Sequence, residues 1–276
     1  MTLLLAIAAS ISIAAGMFLT KGVTLRLPVF QVIGPLFLLN AFFALPFFML
    51  GSSWVPLNHF EIELLGLGGL LTGAGAWIIF IIVSRSSASA ASVGQALSPA
   101  VVLLIAPLVL KSSISVAELI LVAMLIIATT TPLRDSVVGI RSFLTISLMV
   151  CAGITGGSIT VIMALLLKHG LGFAQIIVIQ QLIAGLLFLV VVPPAGIRGR
   201  DYPSLAKRSI FMSAGWLFSS RAIQSGSPLL VQSVMATVPL LIVIFETIIY
   251  KKRPTPGIVF SALATIIGIS ALTLLT

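Results

Sequence analysis

The chain has 276 residues, 59% of them hydrophobic and 8% charged, with a mean hydropathy of +1.28. A soluble domain of this length carries about a quarter charged residues, so 15 basic and 6 acidic side chains cannot coat one in water, and the shell must be lipid. The net charge of +9 does not point to nucleic acid, because Lys and Arg sit singly or in short groups between apolar runs rather than along one face.

A bilayer core of about 30 Å takes roughly 20 apolar residues in a helix, and irregular backbone cannot face lipid. The apolar runs therefore predict helices over 3–20, 29–50, 64–83, 88–110, 116–131, 143–167, 172–192, 209–223, 228–250 and 257–275. The first opens Met1-Thr2-Leu3 without a basic residue and ends at Thr20-Lys21 without an Ala-x-Ala pattern, so it reads as a span, not a signal peptide. Connectors at 51–53, 85–87, 111–113, 132–141, 193–208 and 251–254 hold the breakers and charges, and their shortness makes successive helices antiparallel neighbours. Cys151, the single cysteine, excludes an intrachain disulfide and a thiolate zinc site and reads as a small buried residue.

A shift of 140 residues lays the second five spans onto the first five without a gap: Gly16 on Gly156, Asn40 on Gln180, Ala74-Gly75 on Ala214-Gly215, Pro99 on Pro239 and Lys111 on Lys251. The expectation is an all-α membrane protein of about ten transmembrane helices in two five-helix repeats, residues 1–135 and 136–276, forming one membrane domain. An odd number of spans per half inverts the second repeat, an arrangement typical of secondary transporters.

The stretch Gln95-Ala96-Leu97-Ser98-Pro99 and its counterpart Ala236-Thr237-Val238-Pro239, followed by Phe245-Glu246 and Lys251, are where the chain resembles the drug/metabolite transporter superfamily, specifically the EamA-type exporters. The resemblance covers essentially the whole chain and implies export of small metabolites or amino acids through a central cavity. It departs from the pattern in the first repeat, where Ala106 stands at the position of Glu246.

Polar groups at membrane depth are the candidates for the site. Asn40, Gln180 and Gln181, with Gln95 and Gln232 ahead of the two prolines, suit hydrogen bonding to a neutral or zwitterionic solute, or else bond between helices. Trp77 and Trp216 are aromatic walls of a pocket or packing residues. Pro99 and Pro239 free backbone carbonyls at mid-span and are expected as hinges. Gln232, Pro239 and Glu246, spaced by seven, share a helix face; Glu246 gates or carries a proton, or pairs with Lys251, Lys252 and Arg253. Gly69-x-x-x-Gly73 and Gly153-x-x-x-Gly157 promote close helix packing. Arg85 and Arg221 read as interfacial residues or as ligands of an anionic group. His59 and His169 are given no chemistry.

The odd-numbered loops hold 12 basic residues and the even-numbered ones 3, which puts the odd loops in the cytoplasm and both termini outside; the family resemblance puts both termini inside. Two histidines and six acids supply no clustered acid–base or metal chemistry, so an enzyme is not expected, and neither a cofactor nor a metal. The function expected is a secondary transporter, an exporter of small metabolites such as amino acids by alternating access in the cell membrane, as a monomer or homodimer. Its partners are a small-molecule substrate and the lipid bilayer, with no nucleic acid. The alternative is a flippase whose basic loops, Arg198 to Arg208, hold a phosphate headgroup.

Overall fold

The structure, a computed structural model, describes all residues except 52–53, 86–87, 112, 114, 131–142, 250, 252–255 and 276. Parts of the connectors at 51–53, 85–87, 111–113 and 251–254, and all of 132–141, therefore lie outside the described residues, as do Lys252 and Arg253. The described residues form α1 (Thr2–Thr24), α2 (Val29–Gly51), α3 (His59–Arg85), α4 (Ala88–Ala96), α5 (Ser98–Leu110), α6 (Val116–Thr130), α7 (Phe143–Lys168), α8 (Phe173–Val191), α9 (Tyr202–Ser225), α10 (Pro228–Met235), α11 (Val238–Ile249) and α12 (Pro256–Leu275). Among them there is no strand. Among the described residues six stretches are long and apolar enough to cross a membrane: α1, most of α2, α3, α7, α8 and the run Pro228–Ile249 through α10 and α11.

Two helices begin earlier than hydropathy predicts, because polar residues set their ends. The backbone N–H of Glu61 donates to Asn58 Oδ1 at 2.9 Å while that of Asn58 donates to Glu61 Oε2 at 3.0 Å. This reciprocal cap starts α3 at His59, five residues before the apolar run. A short 3-10 turn at Gly199–Asp201, with Pro203 in the first turn that follows, starts α9 at Tyr202 rather than at 209. Arg208, expected in the loop, is thus a helical residue.

The expected spans 88–110 and 228–250 are each broken, at Leu97 and at Ala236-Thr237. Pro99 and Pro239 stand second in the helices that resume, where each lacks the N–H that would bond back to residue i−4. The continuation helices end alike: Lys111 and Lys251 have φ of 55° and 52°, the only positive-φ non-glycine residues among those described.

Packing follows the same spacing. α1 lies along α9 as α7 lies along α3; α2 packs on α9 as α8 packs on α3; α11 meets α1 as α5 meets α7. α2 crosses α8, and α6 lies against α12. Glycines permit two of these approaches: a Cβ on Gly75 would sit 3.0 Å from Thr155 Oγ1, and one on Gly215 would collide with Ile13. The core includes Ala9, Ile13, Met17, Leu166, Leu217 and Val231, while Val32, Ile33, Leu36, Phe80 and Leu205 tie the starts of α2 and α9 to the end of α3.

Large apolar side chains such as Phe42, Ile62, Leu70, Ile127, Leu186 and Ile267 face outward, a surface suited to acyl chains rather than water. Cys151 is among the outward residues and not buried as expected. It stands beside Val150 and three residues before Ile154, both about half exposed, so the helical period turns it out of the bundle.

Candidate functional site

The broken helix α4 and the long helices α1, α2, α3, α7 and α9 surround a narrow central cavity of about 70 Å³. The N-terminal half contributes Met17 from α1, Phe37 and Asn40 from α2, Thr72, Gly75, Ala76, Ile79 and Phe80 from α3, and Gln95 from α4. The C-terminal half contributes Ala152, Thr155, Gly156 and Ile159 from α7 and Arg208, Met212 and Trp216 from α9. A volume of this size holds a few water molecules; small-molecule pockets usually exceed 300 Å³. The conformation is therefore constricted around the cavity.

Arg208 is the charged residue of this wall and is 6% exposed. Its Nε–H donates to Thr20 Oγ1 at 2.9 Å, and that hydroxyl donates onward to the Gly16 carbonyl at 2.9 Å. The guanidinium carbon lies 5.2 Å from the Phe80 ring centroid, a cation–π distance. Arg208, Met212 and Trp216 recur every four residues, which lines them up on one face of α9. Ser209 and Ser213 fix an adjoining face by donating to the carbonyls of Leu36, at 3.3 Å, and Asn40, at 2.9 Å.

Two amides complete the polar wall. Asn40 Nδ2 donates to Gln181 Oε1 at 3.0 Å, which leaves Asn40 Oδ1 buried with no hydrogen-bond partner, and Gln95 Oε1 is buried and unpartnered as well. Asn40 and Gln95 both line the cavity, and their unpartnered oxygens are acceptors for donor groups there. Arginine, amides and an aromatic wall make a chemistry of hydrogen bonding and single-charge neutralisation. Among the described residues no three His, Cys, Asp or Glu side chains cluster as a metal site would need.

The model of the EamA-like transporter family matches residues 1–131 and again residues 143–274. The chain belongs to the EamA-like transporter family. It is accordingly a multi-pass membrane protein of a transporter family, within the drug/metabolite transporter superfamily. No curated protein matched it. Among solved structures, a crystal structure of a protein with 13% sequence identity covers 98% of this chain and 99% of its own with a TM-score of 0.74, a likeness of fold.

In this EamA-like chain the cavity brings together Asn40, Gln95 and Trp216, with Gln181 bonded to Asn40 behind it. The other candidates lie elsewhere. Trp77 is 46% exposed on the outer face of α3, edge-on to Phe30 at 6.3 Å, where it lines an apolar crevice of about 560 Å³ between α2, α3 and α8. Gln180 is buried against Gly68 of α3, its Nε2 unpartnered. Gln232 accepts from Thr160 at 2.8 Å, joining α10 to α7. Pro99 and Pro239 are buried at the helix breaks, and Glu246 is half-buried on α11, is not free, and does not line the cavity.

Among the remaining features, Gly69 and Gly73 abut Ile183 and Phe188 of α8, and Gly153 and Gly157 abut the backbone of α4 and α5. Both motifs therefore sit at close crossings. Arg85 is exposed; Arg221 is exposed, lies 5.8 Å from the Phe173 ring and donates to Gln224. His59 pairs with Glu63 at 3.0 Å. Sequence reasoning missed Arg208 as a cavity residue by ending the loop at it. The four-residue spacing to Met212 and Trp216 was the available signal.

Proposed function

We propose that this protein is a secondary transporter that exports small metabolites such as amino acids across the cell membrane by alternating access. The observation that carries the reading is the central cavity, because its walls come from both halves of the chain and its polar groups suit a hydrated solute. The breaks before Pro99 and Pro239 supply bending points where the halves rock, and the constriction corresponds to a state awaiting opening.

The architecture that supports this is ten spans in two inverted repeats, with α4–α5 and α10–α11 each counted as one span. Two matches to one family model, breaks 140 residues apart and helix contacts that recur at that spacing all favour it. Arg208 leaves the loop count, and the odd-numbered loops retain their basic excess, which favours a cytoplasmic location for the ends of α1 and α3 and the start of α9.

The test is counterflow into proteoliposomes of purified protein over a panel of labelled amino acids and small metabolites. Saturable counterflow of any solute supports the reading; none from folded protein across a broad panel defeats it. The lipid flippase reading draws on the outward apolar crevice that Trp77 lines, and it gains only if a phosphorylated lipid moves while soluble solutes do not. Proton coupling through Glu246 predicts that Glu246→Gln alters the pH dependence of transport, and an unaltered profile removes it.

A further inference from the structure

Arg208 is the seventh residue of α9 and is buried inside the helix bundle. A buried guanidinium costs several kcal/mol unless an anion neutralises it. Among the described residues the acids are engaged elsewhere, Glu246 among them. Glu61 and Glu118 cap α3 and α6, Asp201 caps the turn before α9, and Glu63 pairs with His59. Among the described residues no carboxylate forms an ion pair with Arg208.

The geometry around the guanidinium leaves one edge for a ligand. Phe80 covers a face and Thr20 takes the Nε–H. Nη1 and Nη2 have no hydrogen-bond partner among the described residues, and the side chain lines the cavity. Two parallel terminal N–H groups are the fork that binds a planar carboxylate in bidentate fashion. On the same cavity, Asn40 Oδ1 and Gln95 Oε1 wait for donors. Among the described residues no second cation lines the wall, so a single negative charge fits and a phosphate dianion does not.

We infer that Arg208 is the anion anchor of the cavity, and that its ligand is a small monocarboxylate carrying an N–H donor group for Asn40 and Gln95. That this ligand is also the transported solute rests on the transport reading above. The arrangement explains why a chain with few acids keeps a buried cation: the countercharge arrives with the ligand.

The experiment uses purified full-length protein, wild type and Arg208→Gln, with L-alanine and L-phenylalanine against alaninamide and phenylalaninamide. Ligand binding is read as thermal stabilisation in detergent, and transport as counterflow in proteoliposomes. The expected result is that the carboxylates stabilise the wild type, that the amides do so at least tenfold more weakly, and that Arg208→Gln removes the difference. Equal effects of acid and amide, no effect of either, or a full response in Arg208→Gln each overturns the inference. If Arg208→Gln does not fold, Arg208→Lys decides: it keeps the charge but loses the fork, and carboxylate affinity unchanged from wild type overturns the inference. Arg208-dependent stabilisation without counterflow upholds the anchor and defeats the transport reading. Counterflow that survives in Arg208→Gln does the reverse.

Discussion

Asn40 on α2 donates from Nδ2 to Oε1 of Gln181 on α8 at 3.0 Å, so an amide pair joins the two halves where their second helices cross. The repeat alignment pairs Asn40 with Gln180, but the bond goes to the next residue, because Gln180 turns toward α3 instead. The pair holds Asn40 with its carbonyl oxygen free at the cavity.

Gln181→Leu is expected to cost about 1–2 kcal/mol, the range of interhelical hydrogen bonds whose loss strands a buried partner. Adding Asn40→Leu should restore part of it, since the stranded amide is then gone. Reversible unfolding of the two single variants and the double variant measures the coupling, and additive losses would show that the pair contributes nothing.

Trp216→Ala should weaken the apparent affinity of a transported solute several-fold, as Trp216 lines the cavity, while Trp77→Ala should leave it unchanged. The concentration dependence of counterflow separates them. Equal effects would mean that the outer crevice takes part in solute recognition.

A methyl group on Gly157 would lie 2.5 Å from Val101 Cβ and 2.8 Å from the Ser98 carbonyl oxygen, whereas one on Gly66 meets nothing within 4 Å. Gly157→Ala should therefore cost about 1–3 kcal/mol through overpacking. Gly66→Ala should be neutral or stabilise by roughly 0.5–1 kcal/mol, since glycine weakens a helix interior. Thermal unfolding in detergent is the measurement, and equal stability of the two variants would refute the crossing geometry.

Pro99→Ala and Pro239→Ala restore the backbone N–H at the two breaks. If these are hinges, exchange should slow while equilibrium binding of the same solute holds, read by counterflow rates beside thermal stabilisation. Exchange rates equal to wild type in both variants would make the breaks static bends.

The spans were legible because lipid imposes one rule on every outward residue, and apolar runs such as 143–167 reproduce α7 almost to the residue. The starts of α3 and α9 were not, because Asn58, Glu61, Asp201 and Pro203 specify them and hydropathy counts such residues as loop. The site was half legible for a reason of angle. Trp77 and Trp216 follow the matched Ala-Gly pairs by two residues and by one, and one residue turns a side chain about 100° around a helix. Ala76, the true counterpart of Trp216, lines the cavity, and Trp77 is carried round to the outside. Arg208 was hidden by its company, a run of basic residues that the topology rule accounts for without a site.

Lys111 and Lys251 share a backbone shape that few side chains tolerate, and glycine ordinarily fills that place at a helix end. A composition rich in Leu, Ile and Ala makes chance identities between halves cheap, but it does not generate matched left-handed lysines. They serve as a ruler: from Gly16 and from Gly156 to these two turns the residue count is the same, as the proposed repeat requires. An insertion within either broken helix would slide its continuation along its neighbours and leave the other in place, whereas the loops between helices can absorb one.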